Sequence, residues 1–215
     1  MQRVQAVKPT FTVEDIYTRA KETLENCIKQ GTTRIRTHAE VDPPVGIKGV
    51  EALQVLAKEY AWAVDLEICV FPQEGLTTSP NADAALVEGL KRGANAIGAA
   101  PNYDTDHPGQ IHRIFGLARQ FDVDIDMHID SGDDPSSLDL HLVAELTEKY
   151  KLGGGVAMGH APKVPRWWPT RTYSSNRGAI ARSRPTMSST PSHPLVTALY
   201  PHGQPARQHS PGRPE

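Results

Sequence analysis

The sequence predicts an α/β fold, a partial (β/α)8 TIM barrel of about five βα units followed by an irregular C-terminal tail. Three observations carry this. Short apolar strands alternate with amphipathic helices from residue 12 to residue 160. The polar residues closing those strands, His38, Gln73, Asn102, His128 and His160, are spaced by 35, 29, 26 and 32 residues, about the length of a βαβ crossover, so each unit returns its polar end to the same edge of one parallel sheet. No glycine-rich nucleotide-binding motif follows the first strand, which favours a barrel over a dinucleotide or nucleotide fold.

In chain order, Thr12 to Gln30 sets Ile16, Ala20, Leu24, Cys27 and Ile28 on one helical face, with Thr12 as N-cap and Gly31 just past the end. Thr32 to Asp42 is rich in β-branched residues, reads as a strand, and stops at Pro43-Pro44. A helix over Lys48 to Tyr60 leads to the strand Val64 to Phe71 and the turn Pro72-Gln73-Glu74-Gly75. A helix over Asn81 to Arg92 leads to Ala96–Ala100 and the turn Pro101 to Asp104. The helix Gln110 to Phe121 delivers the chain to Val123–Ile129. After Pro135, Leu138, Leu142, Leu146 and Tyr150 mark a helix, and Gly153-Gly154-Gly155 precedes the strand Val156–Met158, ending at Gly159-His160.

With 215 residues the chain can form one domain with a substantial core but falls short of a complete barrel of about 250 residues. Composition, 38% hydrophobic and 22% charged, fits a globular protein rather than a disordered or membrane one. Cys27 and Cys69 form no C-x-x-C pair, no signal-peptide pattern opens the chain, and no run of about 18 apolar residues occurs, so a reducing, cytoplasmic location is expected. Charge is unevenly distributed. Residues 1–163 hold 16 Lys plus Arg against 24 Asp plus Glu, a balance of -8, and residues 164–215 hold seven Arg against one Glu, a balance of +6. The acidic body argues against nucleic-acid binding. The tail has nine prolines and neither helical nor strand periodicity, so 1–163 is expected to be the barrel and 164–215 a disordered or frameshifted segment.

Chemistry centres on His128 and His160. Each closes a strand, and imidazoles held at strand ends in a barrel mouth suit a metal-dependent hydrolase; two histidines are fewer than the three protein ligands usual for catalytic zinc, and each could equally be a hydrogen-bonded histidine at a strand end. Asp130 could orient a ligand or move a proton, whereas Asp134 reads as a helix N-cap. Gln73 offers the paired donor and acceptor that suit an amide or pyrimidine edge, or is a turn residue. His107, His112 and His141 read as surface groups.

Four ordered blocks, Gly31-Thr32-Thr33-Arg34-Ile35-Arg36-Thr37-His38, Phe71-Pro72-Gln73-Glu74-Gly75, Asp126-Met127-His128-Ile129-Asp130 and Val156-Ala157-Met158-Gly159-His160, resemble the cytosine deaminase branch of the amidohydrolase superfamily over about residues 10–163. The resemblance implies strands two to six of the barrel and a divalent metal, zinc or iron. The implied reaction is hydrolysis of a carbon–nitrogen bond in a small heterocyclic or amide substrate. By position, His128 resembles the fifth-strand metal ligand, His160 the sixth-strand histidine beside the metal-bound hydroxide, and Gln73 the glutamine that reads the ring. His38 lies near the pocket on the second strand. Ser131 stands where these enzymes carry a proton-shuttling acid, and the chain contains no H-x-H pair. The family's eighth-strand aspartate would fall beyond residue 163. The chain is therefore expected to be an inactive fragment. The alternative is a non-catalytic binding or assembly module whose open sheet edges pair with another copy or a complementary fragment.

Overall fold

The computed structural model describes residues 2–131 and 136–160. Five parallel strands lie in sequential order, β1 (Arg34–Glu40), β2 (Asp65–Phe71), β3 (Ala96–Ile97), β4 (Asp124–Ile129) and β5 (Val156–His160). Among the described residues six α-helices accompany them: α1 (Gln2–Val7), α2 (Val13–Lys29), α3 (Lys48–Glu59), α4 (Pro80–Lys91), α5 (His107–Phe121) and α6 (Asp139–Lys149). This is the partial barrel expected from the alternation.

Thr12 caps α2, its hydroxyl accepting from the Asp15 N–H at 3.1 Å, and Gly31 leaves the helix at φ +84°, a conformation open to glycine. Two elements depart from the pattern-based bounds by three residues. α5 starts at His107 rather than Gln110, because Asp106 accepts from the Gly109 N–H at 2.8 Å and Pro108 fits the first turn, where no amide donor is needed. β3 is two residues long rather than five, yet Gly98 still donates to the Val70 carbonyl at 2.8 Å and His128 to the Ala99 carbonyl at 2.8 Å. Gly98 is crowded: a Cβ there would lie 2.5 Å from the Asp126 carbonyl oxygen and 2.9 Å from Phe71 Cβ.

The two faces of the sheet differ in chemistry. One carries Ile35, Ile68, Val70, Ile97, Ile125 and Met127, packed under Leu53 and Leu56 of α3, Leu86 of α4, Ile114 and Phe115 of α5 and Leu146 of α6. Alternation puts the polar residues of the same strands on the other, concave face. There Arg34 and Arg36 of β1 meet Glu67 of β2, and Arg36 continues to Asp124 and Asp126 of β4. Among the described residues, β1 and β5 each pair with one neighbour. No helix of the described residues is long and apolar enough to cross a membrane. The proposed boundary at residue 163 and the tail lie outside the described residues.

Candidate active site

Strands β1 and β4 stand three strand spacings apart, about 14 Å in a flat sheet. The rings of His38 on β1 and His128 on β4 nevertheless lie 4.6 Å apart between centroids, tilted by 44°. The sheet therefore curls as a barrel wall does, and its concave face closes on these two imidazoles. Phe71 from β2 completes the group, edge-on to His38 at 5.1 Å and 5.4 Å from His128. Strand register explains the convergence: His38 pairs with Cys69, Glu40 with Phe71 and His128 with Gly159. His38 is buried and His128 half-buried.

One layer deeper, Asp126 Oδ1 is 3.8 Å from His38 Nε2 and Asp126 Oδ2 is 3.6 Å from Arg36 Nη1. Burial pushes the Asp126 carboxyl above its ordinary range, against the pull of Arg36 and of His128. For Glu67 burial acts the same way but loses: Arg36, with both arginines donating hydrogen bonds, holds its carboxyl below the usual value. Cys69 is buried, and burial with Asp126 nearby raises its thiol well above the ordinary value, so it is a packed rather than a reactive cysteine.

At the rim, Gln73 is half-buried in the turn after β2. Ser131, after β4, is clasped by Asn102, whose Nδ2 donates to the Ser131 carbonyl at 2.7 Å. His160 ends β5 with its backbone opposite Ile129. Asp130, which the sequence leaves open as a group that could orient a ligand or move a proton, is engaged at the start of α6. Its carboxylate accepts from the N–H groups of Asp139 at 2.8 Å and Leu140 at 3.1 Å, capping α6 from a left-handed backbone position, φ +52°. The cap expected at Asp134 lies outside the described residues.

Two rim groups escaped the sequence. Lys8 is buried to 1% and bonds to Glu40, Asp42 and Glu74. Asp104 accepts from the Leu76 N–H at 2.6 Å, the Thr77 N–H at 2.8 Å, the Thr77 hydroxyl and the Gln110 amide, and its carboxyl is held well below the usual range although burial opposes this. Lys8 belongs to no periodic pattern, while the Asp104–Gln110 pair has a legible trace only in its six-residue separation beside a Pro-Asn turn.

A curled parallel sheet with imidazoles gathered at the carboxyl ends of its strands is a partial (β/α) barrel with polar groups at the edge where such folds place their ligand sites. Its relatives and structural neighbours are amidohydrolase-type enzymes, and the chain is similar to the cytosine deaminase-like branch of that superfamily. The N-isopropylammelide isopropyl amidohydrolase of Pseudomonas sp. (strain ADP) is 26% identical over 152 residues, covering 70% of this chain and 38% of that protein. The crystal structure of 5-methylcytosine deaminase from Klebsiella pneumoniae with 5-fluorocytosine superposes with a TM-score of 0.75 at 26% identity, covering 83% of this chain and 44% of that one. The N-isopropylammelide isopropylaminohydrolase of Burkholderia multivorans supports the fold, with a TM-score of 0.61 at 24% identity over 77% of this chain and 41% of that one. No family model matches the chain. It spans about two fifths of the length of these relatives.

His128 and His38 bring imidazoles together, but among the described residues no group of three or more His, Cys, Asp and Glu side chains is arranged to hold a metal ion. The described residues therefore do not make a complete centre.

Proposed function

We propose that this chain supplies strands two to six of a hydrolase acting on carbon–nitrogen bonds other than peptide bonds, of the kind that deaminates a small heterocycle. The observation that carries the reading is the meeting of His38, His128 and Phe71 across three strand spacings at the carboxyl end of the sheet, in a chain similar to a 5-methylcytosine deaminase. Hydrolysis of such a bond replaces an exocyclic or ring nitrogen by oxygen, so the site must grip a flat polar ring and leave the attacked carbon open to water. Gln73 presents a donor and an acceptor to the ring edge. His128 is one metal ligand and His160 a proton-handling group of the complete enzyme; Asp130, engaged in its helix cap, serves the site by holding the end of β4.

Alone, this chain is inactive and holds zinc or iron weakly, because it contains no H-x-H pair and Ser131 offers no carboxylate. The test is a zinc and iron titration of the purified chain with an ammonia-release assay on cytosine and 5-methylcytosine. No tight stoichiometric metal and no turnover are expected; one equivalent bound tightly with measurable deamination would refute the inactivity. A second reading rests on the edges of β1 and β5, each with one strand partner among the described residues. On this reading the chain is an assembly module, and a discrete dimer on size-exclusion chromatography would favour it over an unassembled segment. Nucleic-acid binding through the arginine-rich tail is disfavoured by the acidic body and would show a steep salt dependence.

A further inference from the structure

Lys8 is the most deeply buried cation of the described residues, and its three carboxylate partners come from two different strand ends. Its Nζ lies 2.8 Å from Glu40 Oε2, 3.0 Å from Asp42 Oδ2 and 2.6 Å from Glu74 Oε1. Glu40 ends β1 and Asp42 follows it, whereas Glu74 sits in the turn after β2, next to Gln73. The ammonium is held above its ordinary range: burial disfavours its charge, but the hydrogen bonds to Glu40 and Glu74 outweigh that. Burial raises the Asp42 carboxyl, against the pull of Lys8.

These bonds bracket Gln73. On its N-terminal side the Phe71 carbonyl accepts from the Val41 N–H at 3.1 Å. On its C-terminal side the Glu74 N–H donates to Asp42 Oδ1 at 2.8 Å while the Glu74 side chain is held by Lys8. Beyond it, Gly75 at φ +102° packs against the next rim loop, where a Cβ would meet the Tyr103 carbonyl oxygen at 2.9 Å. Lys8 is itself fixed. Its 3-10 turn, Lys8–Thr10, is closed by the Thr10 hydroxyl donating to the Val7 carbonyl at 2.7 Å, and Lys48 of α3 donates to the Phe11 carbonyl at 2.9 Å. Without Lys8, Asp42 and Glu74 would lose the cation that joins the two strand ends. Glu74, with 20% of its side chain exposed, is the one able to escape to solvent, and the adjoining Gln73 would move with it.

We propose that Lys8 is a positioning residue of the ligand site, acting through Glu74 and Asp42 to fix the turn that presents Gln73 to the substrate ring. This rests on the reading of Gln73 as the ring-reading residue. The experiment compares the full chain with K8M and K8R by amide hydrogen exchange and by cytosine titration followed at the Gln73 side-chain amide resonances. In K8M the amides of Glu74 and Leu76 are expected to exchange at least about tenfold faster while those of α5 keep their rates, and K8R is expected to restore them. Cytosine binding is expected to weaken about tenfold in K8M and to recover in K8R. Unchanged turn exchange, or cytosine bound by K8M as well as by the parent chain, overturns the proposal. Failure of the parent chain to shift the Gln73 resonances overturns the reading of Gln73 instead, and the exchange rates still decide whether Lys8 fixes the turn. Should K8M not fold, E74A, which keeps Lys8 paired with Glu40 and Asp42, must loosen the same amides or the proposal falls.

Discussion

The two faces of the sheet solve opposite problems with the same strands. The helix-covered face is held by burial: Ile97, Ile125, Met127, Ile114 and Phe115 are at most 1% exposed, and each contributes through packing with neighbours that need only be apolar and of suitable volume. The concave face is held by pairing. Arg36 touches Glu67, Asp124 and Asp126, and each contact requires a particular partner from another strand. A packing face tolerates substitution by similar volumes, while a paired face fails when one member is removed, since the remaining charge is left in a poorly solvated space. The difference also divides the labour: the apolar face fixes strand order, and the paired face positions the imidazoles above it.

The largest effect should come from the packed face. Phe115, 0% exposed and against the Tyr150 ring, should cost about 3–5 kcal/mol when replaced by alanine, measured by urea unfolding. Next comes the paired face. Arg36→Met keeps much of the stem's volume but leaves Glu67 with Arg34 alone and Asp126 without its arginine, and should destabilise the chain by about 2–4 kcal/mol, less than a fully buried pair because Arg36 is 20% exposed. Adding Glu67→Gln to Arg36→Met should restore part of the loss. A double variant as unstable as Arg36→Met alone would break the comparison, because the face would then be held by packing as well.

The same contrast explains what the sequence disclosed. Strand order, the parallel sheet and the apolar positions of α2, α3, α5 and α6 follow from period-2 and period-3.6 patterns, which burial imposes on every element. Candidate site residues were visible as types at strand ends, and His38, Gln73 and His128 stand there. Their pairing was not visible. Whether His38 reaches His128 depends on the curl of the sheet, a property of all five strands together, and no local pattern encodes it. Lys8 leaves no trace in any periodic pattern, because its partners lie 32 or more residues away. Asp130 follows His128 closely in sequence, but its contacts with the first amides of α6 lie nine and ten residues on and leave no local pattern.

Asp104 tests pairing at the rim, where acid should reveal it. Burial opposes the ionised form, yet the Thr77 hydroxyl and N–H, the Leu76 N–H and the Gln110 amide all donate to it and hold its carboxyl well below the ordinary value. A carboxyl depressed in the folded state binds fewer protons there than in the unfolded chain, so its stabilisation is present above the unfolded value of about 3.9 and is lost as pH falls toward the folded one. Asp104→Asn should cost about 1–3 kcal/mol at neutral pH and flatten the decline of stability below about pH 4. An acid-unfolding curve as steep in the variant as in the parent chain would assign the acid sensitivity to other carboxylates, such as Glu67, which Arg36 holds in the same direction.

The smallest effect separates a cap from a proton shuttle. Asp130 sits at φ +52°, where asparagine and aspartate are better tolerated than other side chains, and both its oxygens accept from the start of α6. Asp130→Asn keeps an oxygen for one of those amides and the same backbone tolerance, so it should change stability by a few tenths of a kcal/mol up to about 1 kcal/mol. Asp130→Ala loses both bonds and places a residue without a local hydrogen-bonding group in the left-handed region, and should cost about 1–2 kcal/mol. The order Ala, then Asn, then Asp in rising thermal stability is what a cap predicts. If asparagine is as damaging as alanine, the negative charge itself matters there, through the α6 dipole or through the neighbouring imidazoles, and Asp130 belongs to the paired face after all.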